Sequence, residues 1–369
     1  MDLGYTLPTL YKRVKTGRIQ QWSIVVEGNT FYTIEGLVDG KLTSSIPTEC
    51  SGKSTGRSNE TSGREQAGKE AKALWQKKLD RSYNTDIKKC DEKKYFEPML
   101  AEKYEDYKHL IRYPLFSQPK LDGIRCISEV KGLWSRYGKP FASCIHIYKI
   151  LESRFKKYPG IRFDGELYCD KFKNDFNQIA SYVRTSKSLT AEKLKAIEEN
   201  LEYWIYDLPS HPGNTEDRMG SLDLLFPDPI KGIVIVPTLK VFNLDELNNA
   251  YYDYLENGIE GQMIRFNTPY ENFRTQNLLK RKEFIDDDYP IVDVLEGKGN
   301  RSGTAGKFVL LMKDGRTFES NIKGNFSYLR EILRDKESLK GKITTVRYGR
   351  LTPAGKPRFG YAVAIRDYE

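Results

Sequence analysis

The protein has 369 residues, of which 38% are hydrophobic and 30% are charged, and its formal net charge is +9. This length predicts two or three globular domains, and no apolar run approaches the length of a membrane span. The five cysteines lack a Cys-x-x-Cys pair and only three histidines occur, which disfavours a zinc site, a disulfide framework and histidine-based catalysis. The N-terminus lacks the pattern of a signal peptide, so we expect a cytoplasmic protein without membrane contact.

The positive charge is concentrated at the two ends of the chain. Counting Lys and Arg against Asp and Glu, residues 1–95 carry +5, residues 96–288 carry −3 and residues 289–369 carry +7. A near-neutral middle between basic ends favours a central chemical domain with flanking domains that bind a polyanion. The alternative is that the basic ends only increase solubility. Composition shifts at the same points predict three domains, 1–95, 96–288 and 289–369.

The first domain is predicted to be a small α+β fold. Segments 22–26 and 31–34 are rich in β-branched and aromatic residues, which is typical of strands. Ser62 and Glu65 form a capping-box pattern, and after them residues 67, 71, 74, 75 and 79 fall on one face of a helix.

The middle and C-terminal segments have different patterns. The middle segment mixes predicted strands (123–127, 132–135, 162–168, 202–206, 233–236, 262–266) with predicted helices (143–157, 190–200, 243–256). Irregular alternation of this kind favours an α+β core built on antiparallel sheets. The tail has short strands and Gly-rich turns, which predicts a small β-barrel of the oligonucleotide-binding type (an OB fold).

Polar motifs lie at the ends of the middle strands. In chain order they are Lys120-x-Asp-Gly with Arg125, Ser135-Arg136-x-Gly, Asp164-Gly-Glu166, Tyr206-Asp207, Glu260-Gly with Arg265, and Lys280-x-Lys282. A neutral lysine amine can act as a covalent nucleophile, and attack on phosphorus needs positioning and charge neutralisation rather than a histidine base. Two carboxylates, Glu166 and Glu260, suit a hard cation such as Mg²⁺, and Tyr206 can stack on a purine. Taken singly, each motif is better explained by a surface turn, a solvated face or a core tyrosine.

As an ordered set, these motifs resemble the covalent nucleotidyltransferases, the family of polynucleotide ligases and mRNA capping enzymes. The resemblance covers residues 118–284 and points to ATP-dependent DNA ligases, with similarity to those of bacteriophages. It implies a nucleotidyltransferase (ATP-grasp-like ligase) core of antiparallel sheets and helices, a C-terminal OB-fold barrel and a small N-terminal α+β domain. In the tail, Arg358-Phe359 and the strand ending at Arg366-Asp367 look like the last ligase motif, although Gly360 replaces the usual proline.

The resemblance also implies roles for individual residues. Lys120 would carry AMP, with Arg125, Lys280 and Lys282 assisting, and Glu166 and Glu260 would hold Mg²⁺ or Mn²⁺. The implied contacts to ATP come from Gln118, Arg136, Tyr206, Glu166, Glu260, Lys280, Lys282, Arg358 and Arg366. Trp204 is a rival to Tyr206 for stacking on adenine, and Arg125 and Arg136 would contact either the ribose or the 5′-phosphate of the nucleic acid.

Residues 10–83 are similar to WGR-type modules that bind DNA breaks, although the Trp-Gly-Arg triplet is absent. Together these features predict a monomeric DNA ligase that seals nicks in duplex DNA, acting in DNA repair or replication in a bacterial cell or a phage-infected host. The alternatives are a capping guanylyltransferase, whose lysine is usually followed by threonine where Leu121 stands, an RNA ligase, or a non-catalytic protein that binds DNA breaks. An NAD-dependent ligase is disfavoured because its nicotinamide-binding domain and zinc cysteines are missing.

Overall fold

The computed structural model describes residues 4–14, 16–81, 83–92, 95–173, 175–185 and 189–366. The chain divides into two compact units. One unit comprises residues 95–284 and 352–355, and the other comprises residues 1–94, 285–351 and 356–369. None of the described helices is both long enough and apolar enough to cross a membrane.

The N-terminal residues form one sheet covered by one helix. The strands are β1 (Tyr5–Thr6), β2 (Leu10–Arg13), β3 (Ile19–Glu27), β4 (Thr30–Leu37), β5 (Thr43–Ser44) and β6 (Thr48–Glu49), and the helix is α1 (Gly63–Leu79). The antiparallel pair β3–β4 is central, with Val26 opposite Phe31. The predicted capping box at Ser62 and Glu65 is confirmed at the start of α1. Ala67 and Ala71 on α1 pack against Trp22 of β3, which closes the small core.

The unit around residues 95–284 contains two five-stranded sheets. Its strands are β7 (Leu100–Lys103), β8 (Leu115–Lys120), β9 (Ile124–Glu129), β10 (Gly132–Ser135), β11 (Arg162–Tyr168), β12 (Glu202–Asp207), β13 (Ile233–Ile235), β14 (Leu239–Val241), β15 (Gly261–Arg265) and β16 (Arg274–Lys282). Its helices are α2 (Tyr104–Tyr107), α3 (Ile145–Lys157), α4 (Phe176–Arg184), α5 (Ala191–Asn200), α6 (Thr215–Leu225) and α7 (Leu244–Glu256). The sheet orders are β10-β9-β11-β12-β13 and β14-β8-β15-β16-β7.

The C-terminal residues form a closed five-stranded barrel in the order β17-β18-β19-β23-β20. The elements are β17 (Ile285–Glu296), β18 (Ala305–Leu311), β19 (Thr317–Ile322), α8 (Phe326–Arg334), α9 (Lys336–Leu339), β20 (Ile343–Tyr348), β21 (Arg350–Leu351), β22 (Pro357–Arg358) and β23 (Tyr361–Arg366). Leu329 and Ile332 of α8 pack into the core of the barrel beside Phe308. The last predicted motif residue, Asp367, lies outside the described residues.

Most elements predicted for the middle segment are confirmed, including strands 132–135 and 162–168 with their ends unchanged. The sheets are built mainly of antiparallel pairs, as expected, but β12 pairs with β13 and β7 with β16 in parallel. Helix α6 (Thr215–Leu225) was not predicted, because its apolar residues do not form a clear stripe along one helical face. The tail was expected to be all β, yet it contains α8. The predicted boundary at residue 288 falls inside β17, whose first residue is Ile285.

Candidate active site

Lys120 is the last residue of β8, and the neighbouring strands place two charged partners beside it. In the register of the sheet, Lys120 is opposite Gly261 of β15, and Gly261 is opposite Lys282 of β16. The Lys120 Nζ donates a hydrogen bond to Glu260 Oε2, while Lys282 Nζ lies 3.5 Å from Glu260 Oε1. Two lysine amines therefore share one carboxylate at the end of this sheet.

The glycines of the first and fifth motifs are required by close backbone approaches. A Cβ atom on Gly123 would lie 2.5 Å from the carbonyl oxygen of Leu167 and 2.7 Å from Cγ of Glu166. A Cβ atom on Gly261 would collide with the carbonyl oxygen of Arg281. The turn after Lys120 therefore packs directly on the strand that carries Glu166, which a larger residue would prevent.

Arg125, on β9, connects the Lys120-x-Asp-Gly motif to the Asp164-Gly-Glu166 motif on β11. It lies opposite Glu166 across the pair β9–β11. Its guanidinium forms a two-point ion pair with Asp164, through Nε to Oδ1 (2.9 Å) and Nη2 to Oδ2 (2.5 Å). It also donates to the carbonyl oxygen of Met99 at 2.7 Å. This fork geometry fixes the position of the arginine more firmly than a single contact does.

Glu166 is the carboxylate that best fits a cation. Its pKa is raised to about 8, because the pocket removes the carboxylate from water, and Lys120 and Arg125 only partly oppose this shift. Among the described residues its side chain has neither a hydrogen-bond donor nor an ion-pair partner, whereas Glu260 is already engaged by two lysines. Among the described residues, no three His, Cys, Asp or Glu side chains lie close enough together to hold a metal ion by themselves. The residues thus fit Mg²⁺ held by one or two carboxylates, with its other ligands coming from water and phosphate.

Gln118 presents a fixed amide to the pocket. Its Nε2 donates to the carbonyl oxygen of Tyr206 (3.0 Å) and to Thr238 Oγ1 (2.8 Å), and its Oε1 accepts from Arg265 Nε (2.7 Å). Since Thr238 in turn donates to the carbonyl oxygen of Val236, its hydroxyl oxygen is the acceptor for Gln118. Both amide hydrogens are therefore used, and only acceptor capacity remains on Oε1.

Arg265 is held in turn by a buried network. Its Nη1 donates to Asp207 Oδ2 at 2.5 Å, and Arg218 Nε donates to Asp207 Oδ1 at 2.6 Å. Asp207 and Arg218 are both fully buried. The pKa of Asp207 is lowered, because the two guanidinium groups outweigh the effect of burial. This network fixes the strand end that carries Tyr206, whose ring lies 5.6 Å from the Arg265 guanidinium.

These groups line one cavity of about 280 Å³. The predicted residues among its lining are Gln118, Lys120, Arg125, Arg136, Glu166, Tyr206 and Lys280. The pKa of Lys280 is lowered, first by burial and then by Arg274, Lys120 and Lys282. A second, more open groove of about 660 Å³ shares Arg125 and Arg136 with the cavity and is also lined by Lys139, Phe176 and Arg184.

The remaining predicted residues are placed differently. Glu260 joins the site through its ion pair with Lys120, and Lys282 joins it through its ion pair with Glu260. Trp204, the rival of Tyr206, packs edge-on against Tyr168 and donates to Glu202. Arg358 and Arg366 belong to the other unit. There Arg366 Nε donates to Thr345 Oγ1 at 2.7 Å and lies 3.7 Å from Asp288, and the Arg358 guanidinium lies 5.1 Å from the Phe359 ring.

Three contributors to the candidate site are not predicted by the sequence motifs. Arg274 and Arg265 line the cavity, and the Tyr270 hydroxyl donates to Asp164 Oδ2 at 2.7 Å. Arg265 was noted within its motif but received no role. Tyr270 and Arg274 lie in a polar segment that ends at the first residue of β16 and has no periodic pattern, so only the fold reveals their proximity to the site.

Known proteins resemble the part of the chain that carries this site. The family described as "ATP dependent DNA ligase domain" matches residues 98–282, half of the chain, so the chain belongs to that family. It is 27% identical over 267 residues to the DNA ligase of Enterobacteria phage T6, covering 59% of this chain and 54% of the phage protein. It is 29% identical over 244 residues to the DNA ligase of Haemophilus influenzae, covering 65% and 82% of the two chains.

The chain thus spans about half the length of the phage relative. A solved structure described as "DNA binding with a minimal scaffold: Structure-function analysis of Lig E DNA ligases" superposes with a TM-score of 0.59 at 21% identity. That match covers 73% of this chain and 98% of the other. At this identity the likeness establishes a shared fold only.

Proposed function

We propose that this protein is an ATP-dependent DNA ligase that seals nicks in duplex DNA through lysine–AMP and DNA–adenylate intermediates. The observation that carries the proposal is Lys120, which lines a polar cavity together with Lys280 and is paired with Glu260 beside Lys282. Membership of the ligase family supports the same reaction.

In the first step, the Lys120 amine attacks the α-phosphorus of ATP. An N–P bond forms, the P–O bond to the β-phosphate breaks, pyrophosphate leaves and the amine loses its proton. Glu260, which accepts a hydrogen bond from Lys120, orients the amine, and Lys280 and Lys282 neutralise phosphate charge. In the next two steps AMP passes to the 5′-phosphate at the nick, and the 3′-hydroxyl then displaces AMP. Positioning and charge neutralisation dominate such transfers.

The fixed amide of Gln118 supports ATP as the nucleotide. Its Oε1 can only accept a hydrogen bond, and its orientation is held by Arg265, Tyr206 and Thr238. An acceptor suits the 6-amino group of adenine and opposes the 6-oxo group of guanine. We therefore assign the purine-binding end of the cavity to Gln118 and Tyr206, with Arg136 near the sugar and Arg358 and Arg366 acting on the pyrophosphate.

A divalent metal, Mg²⁺ or Mn²⁺, would be held by Glu166 with Glu260 as a second carboxylate. When bound, it supplies positive charge that stabilises the transferring phosphoryl group. The carboxylate of Glu166 is half-buried and has no hydrogen-bond or ion-pair partner among the described residues, which supports this assignment.

The flanking domains are proposed to bind the duplex. The net charges of +5 on residues 1–95 and +7 on residues 289–369 suit contacts to phosphates, which are independent of base sequence and weaken with salt. We assign the C-terminal barrel to the OB-fold class on its closed five-stranded order, and the N-terminal sheet and helix to a WGR-like DNA-binding module. The three-domain division, a monomeric state and a cytoplasmic location complete the proposal.

The test is covalent labelling of the full-length protein with α-³²P-ATP, and separately with α-³²P-GTP, in the presence of Mg²⁺. We expect acid-labile label from ATP that is absent in Lys120→Arg, which keeps the charge beside Glu260, and is retained in Lys131→Ala, an exposed lysine in the β9–β10 turn. Nicked DNA should then discharge the label as AMP with sealing, and less efficiently at high salt.

Other outcomes would redirect the assignment. Label from GTP alone would support a capping enzyme. Discharge only on nicked RNA would support an RNA ligase. No label from either nucleotide, from protein freed of bound AMP, would exclude the transferase reaction and leave a protein that binds DNA breaks.

A further inference from the structure

Tyr270, in the segment between β15 and β16, closes a ring of hydrogen bonds around Arg125. Its hydroxyl donates to Asp164 Oδ2 at 2.7 Å and accepts from the Met99 amide at 2.8 Å. The carbonyl oxygen of the same Met99 accepts from Arg125 Nη1 at 2.7 Å. Arg125 and Tyr270 also approach each other directly, with Nη2 3.4 Å from the hydroxyl oxygen. Three distant segments of the chain therefore meet at this guanidinium.

The ring determines which way the guanidinium points. A guanidinium has five N–H groups. Within the described part of the chain, Nε and both hydrogens of Nη2 are directed at Asp164 and Tyr270, and one hydrogen of Nη1 is directed at Met99. One N–H of Nη1 remains for an external acceptor. Arg125 lines both the nucleotide cavity and the adjoining groove, so that donor lies where the two meet.

The Tyr270 hydroxyl has no direct part in the lining of the cavity, but it limits the freedom of Asp164. Asp164 Oδ2 accepts from both Tyr270 and Arg125 Nη2. Without the hydroxyl, Asp164 Oδ2 would accept a hydrogen bond from Arg125 only. The Met99 amide would lose the acceptor of its own hydrogen bond. The carboxylate could then rotate, and the arginine fork would follow it, because the two are joined by two parallel hydrogen bonds.

We propose that Tyr270 is a positioning residue for nucleotidyl transfer, acting through Asp164 on the orientation of Arg125. This inference rests on the proposed ligase function. The tyrosine touches no substrate; it holds the one remaining donor of Arg125 at the boundary of the cavity and the groove. Its loss should slow a transfer step without removing the nucleophile.

The test compares Tyr270→Phe with Tyr203→Phe in single-turnover labelling and discharge assays on the full-length protein. Tyr203 is a matched control, since its buried hydroxyl donates to the carbonyl oxygens of Cys126 (2.9 Å) and Phe163 (3.1 Å), which adjoin Arg125 and Asp164 in sequence. Each variant loses one interior hydroxyl that contacts both β9 and β11, but only Tyr270→Phe affects the Arg125–Asp164 pair. We expect Tyr270→Phe to slow labelling or discharge about tenfold at saturating substrate, as for loss of one charge-assisted hydrogen bond, and Tyr203→Phe to keep the wild-type rate per folded molecule.

A double-variant cycle shows whether the effect passes through Arg125. In an Arg125→Met background, Tyr270→Phe should slow the reaction no further. Asp164→Asn, which weakens the same link, should reproduce the loss if Tyr270→Phe does not fold. Equal rates for Tyr270→Phe and Tyr203→Phe, or losses that multiply in the double variant, would overturn the proposal.

A second readout does not depend on activity. The Arg125 Nε–H resonance in ¹⁵N NMR should be protected from exchange in the wild type and in Tyr203→Phe, and exposed in Tyr270→Phe. Unchanged protection would refute the positioning role. Failure of the wild type to become labelled would instead contradict the proposed function, and the resonance would still decide the role of Tyr270.

Discussion

In the proposed ligase reaction, replacing Arg265 by methionine should reduce the preference for ATP over GTP while Lys120 stays in place. In the wild type, rotating the Gln118 amide by 180° would lose its hydrogen bonds to Arg265, Tyr206 and Thr238. At about 1 kcal/mol for each bond, the rotated amide is disfavoured by about 3 kcal/mol, or about a hundredfold. The rotated form is the one that would donate to guanine.

In Arg265→Met, the NH2 group of the rotated Gln118 amide no longer faces a cationic donor. The Thr238 hydroxyl can then turn and donate a hydrogen bond to the rotated amide oxygen. The penalty then falls to about 1–2 kcal/mol, so the ratio of labelling rates with ATP and GTP should fall about tenfold. Because the assay is a ratio within one preparation, it does not depend on how much of the variant is folded.

Arg274→Met is the matched control for this prediction. Arg274 lines the same cavity, but its guanidinium donates to the carbonyl oxygen of Ala101 and not to Gln118. Its loss should lower the rate with both nucleotides and leave their ratio unchanged. A wild-type ratio in Arg265→Met, or an equal change in Arg274→Met, would refute the argument that the held amide selects the base.

Two further predictions concern stability. Arg218→Met removes one of the two cations that contact Asp207, which is fully buried. The free energy of unfolding, measured by urea titration, should fall by about 3–5 kcal/mol. A loss below about 1 kcal/mol would show that Arg265 alone satisfies the carboxylate. His146 is buried, its Nε2 donates to the carbonyl oxygen of Leu201 at 3.1 Å, and burial lowers its pKa, opposed by that bond and by Glu198. The unfolded state therefore binds the proton more readily than the folded state does. The free energy of unfolding should fall as the pH drops below about 6.5, towards the lower pKa of His146 in the folded protein. In His146→Gln, unfolding curves at pH 5, 6 and 7 should show a weaker dependence of stability on pH. An equally steep dependence in the variant would assign the effect to other groups.

Local patterns predicted much of the secondary structure. The strand at residues 162–168 and the capping box at Ser62 and Glu65 depend on residues a few positions apart, and both are confirmed. Helix α6 was missed because it is held by the buried Arg218 and by its capping box at Asn214 rather than by an apolar stripe. The parallel pairing of β7 with β16 joins segments more than 170 residues apart, which no local pattern encodes.

The ordered motifs also predicted the members of the site before any contact was known. Lys120, Glu166 and Glu260 could be chosen because their chemistry is specific and their order is improbable by chance. The fold added the partners: Lys120 meets Glu260 because β8 and β15 are paired, and Arg125 meets Asp164 because β9 and β11 are paired.

The sequence by itself therefore determined which reactive groups this protein carries, and in what order, because those properties belong to single residues and short motifs. Only the tertiary structure decided that Gln118 is held as an acceptor by Arg265, and that Tyr270 reaches Asp164. The physical reason is that a hydrogen bond depends on distance and direction, and these are set by strands that meet in space although they are far apart along the chain.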